Sequence, residues 1–149
     1  MNKRILLFLL LGSITLTASS AQRYRNVFRE AGYTQADIDR KLGQAWHDLF
    51  EGPDRIFFEV GDSMGFVSDL KNHDARSEGL SYGMMAAVQL NKKEVFDRIW
   101  RFAKKYTQHQ SGLREGYFAW SIDPWTLKKN SDGSASDGEL YYVTSLLFA

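Results

Sequence analysis

Two short stretches of the sequence repeat the order serine, acid, glycine, with a tyrosine four residues after the acid. The two copies are Ser77-Glu78-Gly79 with Tyr82 and Ser136-Asp137-Gly138 with Tyr141. Their acids lie 59 residues apart, which leaves room for one helical hairpin of a repeat architecture. Two carboxyl groups that meet in one cavity can supply a general acid and a charged partner for hydrolysis. Glu78 and Asp137 are therefore the first candidate site residues.

The same acids have a simpler interpretation, as caps or first-turn residues of two helices. The positive end of a helix favours an ionised carboxylate by about 0.3–1 kcal/mol, and acids are common there. A general acid must instead hold its proton near neutral pH, so burial or a neighbouring negative charge would have to outweigh the helix dipole. Asp137 supplies such a charge if it lies close to Glu78. The residues alone leave both interpretations open.

Two tryptophans that lie between the acids are candidates for stacking on a sugar ring. Trp120 and Trp125 belong to a segment rich in glycine, aspartate and proline, and such loops commonly carry function. The alternative is core packing, which we expect for Phe118. Trp120 is the preferred stacking platform, and Trp125 is the second candidate.

The elements that must position these residues are mainly helices. The spacing of apolar residues predicts amphipathic helices over residues 24–31, 34–50 and 91–106. Thr34 and Asn91 are placed to cap the second and third of them. No linker or low-complexity segment interrupts residues 22–149, so the sequence predicts one domain.

Two further helices carry the acids and have a different composition. Residues 76–90 and 136–149 lack a continuous polar face, which predicts buried inner helices. Gly79 and Gly83 in the first of them predict close packing against a neighbour, because glycine costs up to about 1 kcal/mol in a helix. Residues 56–60 and 64–67 predict a hairpin. The fold class is therefore all-α with a minor β-hairpin at most.

The N-terminal segment, residues 1–21, has the features of a secretory signal peptide. Lys3 and Arg4 precede an apolar run, and small residues end the segment. The run is too short to span a bilayer, which takes about 20 residues. We therefore expect an exported protein, periplasmic or secreted, without stable membrane insertion after cleavage. Cleavage changes the formal charge from +1 to −1, and neither value favours a strongly charged partner.

The sequence gives no support for a metal, a cofactor or nucleic acid as a ligand. It contains no cysteine, and His47, His73 and His109 are too far apart to form a local ligand motif. It also lacks a glycine-rich phosphate loop and a basic patch with interleaved aromatic residues. We expect a neutral ligand and no cofactor.

At the acid motifs the sequence resembles glycoside hydrolase family 8. The stretches that carry the resemblance are residues 31–33 (AGY), 60–62 (VGD), 74–85 (DARSEGLSYGMM), 116–120 (GYFAW) and 135–139 (ASDGE). The family implies an (α/α)6 barrel whose inner helices present acids at one end, and hydrolysis by a single displacement with inversion. It implies Glu78 as the general acid and Asp137 as an aspartate that contacts the sugar just before the scissile bond. Arg76 and Tyr82, from the same run as Glu78, are then substrate-binding residues.

Within the family the sequence is most similar to the reducing-end xylose-releasing exo-oligoxylanases. That similarity implies β-1,4-xylo-oligosaccharides as the ligand and xylose as the product. Endo-xylanase, endoglucanase and chitosanase activities remain alternatives within the family. A non-catalytic helical-repeat protein that binds sugar through Trp120 and Trp125 is an alternative of another class.

The length predicts part of a barrel rather than a whole one. Six hairpins at the observed spacing would need roughly 350 residues, whereas residues 22–149 supply about two. Inverting hydrolysis needs a second carboxylate about 6.5–9.5 Å from the acid, and the family places that base much farther along the chain. Residues 22–149 are therefore expected to be the N-terminal portion of a catalytic domain, with the base beyond residue 149 and no activity on their own.

Overall fold

The first described elements are two helices that precede the rest of the fold. The computed structural model describes residues 25–149, and the predicted signal peptide, residues 1–21, lies outside them. Helix α1 spans Val27–Glu30, and α2 spans Gln35–Trp46 and continues as a π-helical turn over His47–Glu51. Thr34 caps α2 as predicted, because its hydroxyl accepts a hydrogen bond from the Asp37 amide at 3.1 Å.

A five-stranded antiparallel sheet follows the chain order β1-β2-β3-β4-β5. The strands are β1 (Phe57–Val60), β2 (Met64–Asp69), β3 (Asp74–Arg76), β4 (Ser121–Asp123) and β5 (Lys128–Lys129). The first two form the predicted hairpin, with Phe57 opposite Val67. The sequence does not predict the last three, since two or three residues are too few to show a period of two.

Three helices complete the described chain. They are α3 (Ser77–Gln89), α4 (Lys93–Phe102), which continues as a π-helical turn over Ala103–Thr107, and α5 (Ser136–Phe148). The prediction that Asn91 caps α4 is wrong, because Lys92 is the N-cap residue and no side chain bonds to the helix start. Asn91 instead has φ +55° in the turn from α3 to α4, a left-handed conformation that asparagine tolerates.

Helix α3 is at the centre of the described fold. It packs against α4, α5 and β2, and Leu80, Met84 and Ala87 of α3 are fully buried. A Cβ on Gly83 would lie 2.8 Å from Val67 Cγ2, so glycine is needed there for close approach. A Cβ on Gly79 would lie 3.5 Å from Val67, an ordinary contact. The predicted close packing is confirmed at Gly83 and is not required at Gly79.

Helix α5 is much less covered than α3. Its buried residues are Gly138, Tyr142 and Ser145, one row along the helix. Gly138 packs on α3, and Tyr142 packs on Phe118 and on Trp100 of α4. Leu140 is 67% exposed and Leu147 is 80% exposed, so the prediction of a buried helix does not hold for α5 within residues 25–149. Among the helices of this part of the chain, none has both the length and the apolar composition needed to cross a bilayer.

Candidate active site

The two acid motifs meet at the start of α3 and α5. A Cβ on Gly138 would lie 2.5 Å from Ser77 Oγ and 3.1 Å from the Ser77 carbonyl carbon. The glycine of the second copy therefore packs directly on the serine of the first. Tyr82 and Tyr141, which the repeat also matches, form an edge-to-face pair with ring centroids 4.5 Å apart. The predicted placement of the motifs at one end of neighbouring helices is confirmed.

Glu78 is half-buried in the first turn of α3. Its Oε2 accepts a hydrogen bond from the Ser77 hydroxyl at 2.9 Å, and within residues 25–149 its Oε1 has no hydrogen bond. Neither α3 nor α5 has a side-chain cap hydrogen bond. The acids are therefore not caps, but both are first-turn residues in the positive field of a helix start, as the simpler interpretation also predicts.

Asp137 is exposed at the start of α5, where it faces Tyr82. The Tyr82 hydroxyl lies 3.5 Å from Asp137 Oδ2, a long contact for a hydrogen bond. Partial removal from water raises the pKa of Tyr82, and the charge of Asp137 and, more weakly, of Glu78 raises it further. The structure thus brings Tyr82 and the two acids together.

Arg76 directly precedes α3 and is held by acids that the sequence analysis did not select. Its Nε donates to Asp74 Oδ1 at 3.0 Å and lies 3.4 Å from Asp69 Oδ2. Asp74 is buried and also accepts a hydrogen bond from the Ser121 hydroxyl at 2.7 Å. The hydrogen bond to Asp74 is the main reason that the pKa of Arg76 is raised. Residues two apart on a strand share a face, so the order Asp-Ala-Arg could have indicated this pair.

Trp120 lies beside the start of α3. The guanidinium of Arg76 is 5.4 Å from the centroid of the Trp120 ring, a cation–π distance. The Trp120 carbonyl accepts a hydrogen bond from the Ser77 amide at 2.9 Å, and the Trp120 amide donates to Gly133 at 2.9 Å. The half-buried indole is therefore fixed next to the residue that precedes Glu78.

Trp125 lies elsewhere, in the turn between β4 and β5. Its ring makes edge-to-face contacts with Phe58 and Phe66, with centroids 6.0 and 5.4 Å away. Phe66 and Val67 are consecutive on β2 and project to opposite faces of the sheet, and Val67 is the residue that contacts α3. The structure therefore places Trp125, 64% exposed, on the other face of the sheet from Glu78.

Glu139 is a third acid near the starts of α3 and α5, and it was not among the predicted site residues. Its Oε1 accepts a hydrogen bond from the Phe118 amide at 2.7 Å. Burial raises the pKa of Glu139, while the Phe118 amide and His109 lower it in part. Alignment of the two motifs places Glu139 at the position of Leu80 in α3. An acid in place of a core leucine is the feature of the sequence from which Glu139 could have been predicted.

Two other features of the described chain lie apart from the acids. A cavity of about 570 Å³ is lined by residues of α1 and α2 and the turn between them, including Phe28, Tyr33 and Ile38, and by no predicted site residue. His109 Nδ1 lies 3.3 Å from Lys129 Nζ, while His47 and His73 are exposed. No group of three or more potential metal-ligating side chains is found in residues 25–149.

Comparison with known proteins places this geometry in a family. The sequence profile of glycosyl hydrolases family 8 matches residues 39–149. A reducing-end xylose-releasing exo-oligoxylanase of Halalkalibacterium halodurans is 46% identical over 130 residues, which are 86% of this chain and 33% of the relative. Another, of Paenibacillus barcinonensis, is 46% identical over 128 residues, 85% of this chain and 33% of the relative.

The structural comparison agrees with the sequence comparison. The structure of the Paenibacillus barcinonensis enzyme complexed with xylose superimposes with a TM-score of 0.80 at 46% identity, over 85% of this chain and 34% of the other. The chain therefore spans about a third of the length of the relatives that it matches. The predicted fold class, all-α as the N-terminal part of an (α/α)6 barrel, is confirmed as a helix-rich part of such a barrel, and the sheet has five strands where a minor hairpin was predicted. The chain belongs to the glycosyl hydrolases of family 8.

Proposed function

We propose that the complete protein containing this chain hydrolyses β-1,4-xylo-oligosaccharides and releases xylose from the reducing end. The observation that carries the proposal is the convergence of Glu78, Tyr82 and Asp137 at one end of α3 and α5. The relatives named as reducing-end xylose-releasing exo-oligoxylanases support the choice of substrate. The activity is assigned to the complete protein because the chain spans about a third of those relatives.

In this proposal Glu78 protonates the oxygen of the leaving sugar. The Ser77 hydroxyl donates to Oε2, so it orients the carboxyl group and leaves Oε1 to carry the proton. In inverting hydrolysis a second carboxylate, about 6.5–9.5 Å away, takes a proton from the attacking water. We propose that this base comes from the part of the fold that the relatives have in addition. Residues 22–149 alone are then inactive.

The other residues at the helix starts hold the sugar. Asp137 is exposed beside Tyr82, so its carboxylate is available to accept hydrogen bonds from sugar hydroxyls. Arg76 is fixed by Asp74 and covers part of the Trp120 ring, which gives a rigid, partly polar wall. The position of Trp125 on the other face of the sheet makes it the weaker candidate for stacking at this site.

The test is product analysis with the complete protein and xylotriose that carries an isotopic label in its reducing-end sugar, and the released xylose should carry the label. Wild-type protein should release xylose, and Glu78→Gln should lower kcat about 10²–10⁴-fold, the usual contribution of a general acid. Glu115→Gln, in an exposed loop, is the matched control and should leave kcat unchanged. Undiminished xylose release by Glu78→Gln would contradict the assignment of the acid.

The products also separate the alternatives. With xylohexaose as the substrate, products of two to four sugars without xylose would indicate endo-acting hydrolysis. Hydrolysis of β-1,4-glucan or chitosan alone would indicate another substrate class within the family. Binding of xylotriose without any product would indicate the non-catalytic carbohydrate-binding alternative.

We also propose that residues 1–21 direct export. The basic start, apolar run and small-residue end of this segment support the proposal. Expression of the complete protein in a bacterial host, followed by fractionation and N-terminal sequencing, tests it. A mature N-terminus close to Gln22 in the periplasm or medium is expected, and an intact Met1 in the cytoplasmic fraction would contradict it.

A further inference from the structure

The segment Phe118-Ala119-Trp120 is held between the two acid-bearing helices. At one end the Phe118 amide donates to Glu139 in the first turn of α5, at 2.7 Å. At the other end the Trp120 carbonyl accepts from the Ser77 amide, the first residue of α3, at 2.9 Å. Three residues of chain therefore connect the start of one acid helix to the start of the other.

The contact at the α5 end is made by a side chain that burial disfavours. Glu139 is half-buried, and at the same position of the repeat α3 has the fully buried Leu80. A carboxylate loses hydration when it is buried, so an apolar residue is the expected choice unless a hydrogen bond compensates. The bond to Phe118 is short and aided by charge, and bonds of this kind are the stronger ones.

The packing around this bond makes the segment a rigid connection. The Phe118 ring packs against Tyr142 in a tilted arrangement, with centroids 4.6 Å apart, and Tyr142 is one turn after Glu139 on α5. The Ala119 amide donates to the Thr107 carbonyl at 2.8 Å. With the segment fixed in this way, the bond from Glu139 adds a second restraint on α5, beside the direct contact of Gly138 with Ser77.

We propose that Glu139 is a positioning residue, whose hydrogen bond to the Phe118 amide fixes Asp137 and Trp120 relative to Glu78. The inference rests on the proposed function, since it concerns the geometry of the same acids. Asp137 is two residues before Glu139 in the same helical turn, so a shift of α5 moves it directly. Loss of the bond displaces Asp137, and misplacement by about 1 Å can lower turnover about 100-fold.

The first test compares Glu139→Ala with Glu139→Gln in the complete protein, using xylotriose. Glutamine keeps an oxygen that can accept from Phe118, whereas alanine does not. We expect kcat to fall about 10- to 100-fold in Glu139→Ala and to recover to within about threefold of wild type in Glu139→Gln. Ile99→Val, a core truncation on α4, is the control for stability and should keep wild-type kcat at 25 °C. Equal kcat in all four proteins, or an equal loss in both Glu139 variants, would overturn the proposal.

The second test does not depend on catalysis and so separates this inference from the proposed function. Amide hydrogen exchange is measured for peptides that cover Phe118 and Ser77 in wild type, Glu139→Ala and Glu139→Gln. We expect faster exchange at both places in Glu139→Ala, because the Ser77 amide is bonded to the far end of the segment. Faster exchange at Phe118 alone would show that Glu139 acts locally, and would overturn the proposal even if xylose is released. If wild type releases no xylose, the proposed function fails and the exchange at Ser77 still decides this inference.

Discussion

Helices α3 and α5 begin with the same motif but are held in different ways. Helix α3 has six buried residues and contacts α4, α5 and β2. Helix α5 has three buried residues, in one row along the helix. The matched serines differ likewise, since Ser77 is 1% exposed and Ser136 is exposed. Glu78 therefore lies on the helix with the most buried residues in the described fold, and Asp137 lies on a helix that is buried along one row only.

This difference fits the different tasks that we propose for the two copies of the motif. A general acid needs a fixed position, and a helix packed on three sides supplies it. An acid that contacts a sugar needs exposure, and Asp137 has it because α5 is covered on one side only. The buried row supplies the contacts that hold α5 in place, so single substitutions along it should have large effects.

The largest expected effect is at Tyr142, the main side chain by which α5 contacts the core. It is 1% exposed and packs on Phe118, at 4.6 Å, and on Trp100, at 6.0 Å. Tyr142→Ala should lower the free energy of unfolding by about 3–5 kcal/mol, as for other large aromatic residues in cores. Urea unfolding of the complete protein measures it.

Tyr142→Phe is the matched control for that loss. The Tyr142 hydroxyl is buried, and its contact with the Thr107 side chain falls outside hydrogen-bond geometry, so removal of the oxygen alone should leave stability unchanged or slightly higher. A loss in Tyr142→Phe as large as in Tyr142→Ala would show that the hydroxyl, and not the ring, holds α5. The packing of the Tyr142 ring on Phe118 and Trp100 would then not be what holds α5 to the core.

The second effect tests the contact between the two motifs. The Cβ of Gly138→Ala would meet Ser77 backbone and side-chain atoms at 2.5–3.1 Å. The helix starts must move apart, which should cost about 1–3 kcal/mol of unfolding free energy and lower kcat as well. Calorimetry and xylose release measure the two effects.

Gly79→Ala is the matched substitution in α3. Its Cβ would meet Val67 at 3.5 Å, an ordinary contact, and alanine is favoured over glycine in helices by up to about 1 kcal/mol. The unfolding free energy should therefore rise. Equal losses in Gly79→Ala and Gly138→Ala would contradict the view that the second glycine, and not the first, sets the distance between the helices.

The repeat made the pairing of α3 and α5 predictable, because matched motifs 59 residues apart imply matched places in a repeat fold. Thr34 as a cap and the β1–β2 hairpin followed from local patterns in the same way. Strands β3 to β5 did not, since pairing between distant short segments leaves no local period. Asn91 failed as a cap because the turn needed its left-handed conformation.

In the candidate site, too, residues within local motifs could be predicted and those defined by distant contacts could not. Glu78, Asp137, Tyr82, Arg76 and Trp120 lie in or beside the motifs. In the structure Tyr82 lies beside Asp137 and Arg76 beside Trp120, and the charge of Glu78 acts on both Tyr82 and Arg76. Asp74 and Glu139 were missed because their importance lies in partners distant in sequence, Ser121 and the Phe118 amide. Trp125 lies in a segment with the composition of a functional loop. Its ring packs on Phe66, however, and alternation along β2 places Phe66 on the other face of the sheet from Val67.

A smaller effect is expected at the tyrosine pair that joins the two helices above the acids. Tyr82→Leu removes the edge-to-face contact with Tyr141 and should lower stability by about 0.5–1.5 kcal/mol. Tyr82→Phe keeps the ring and loses only the 3.5 Å contact to Asp137, so its stability should stay within about 0.5 kcal/mol of wild type. Thermal melts of both variants measure this. A larger loss in Tyr82→Phe would mean that the long contact to Asp137 is a stronger bond than its length indicates.

The smallest effect concerns pH and the position at which the two helices differ, Leu80 in α3 and Glu139 in α5. Burial raises the pKa of Glu139 above its ordinary value of 4.5, so the folded state binds more protons than the unfolded state as pH rises through that value. Glu139 therefore makes its full contribution to the free energy of unfolding below about pH 4.5. This contribution is lost as the pH rises through the pKa of Glu139 in the folded state. The side-chain amide in Glu139→Gln does not titrate, so the melting temperature of this variant minus that of wild type should be more positive at pH 7 than at pH 4. His109 and the Phe118 amide oppose the shift, which keeps the effect small. A difference in melting temperature that is more positive at pH 4 than at pH 7 would mean that these two groups outweigh burial. The ionised form of Glu139 would then stabilise the fold.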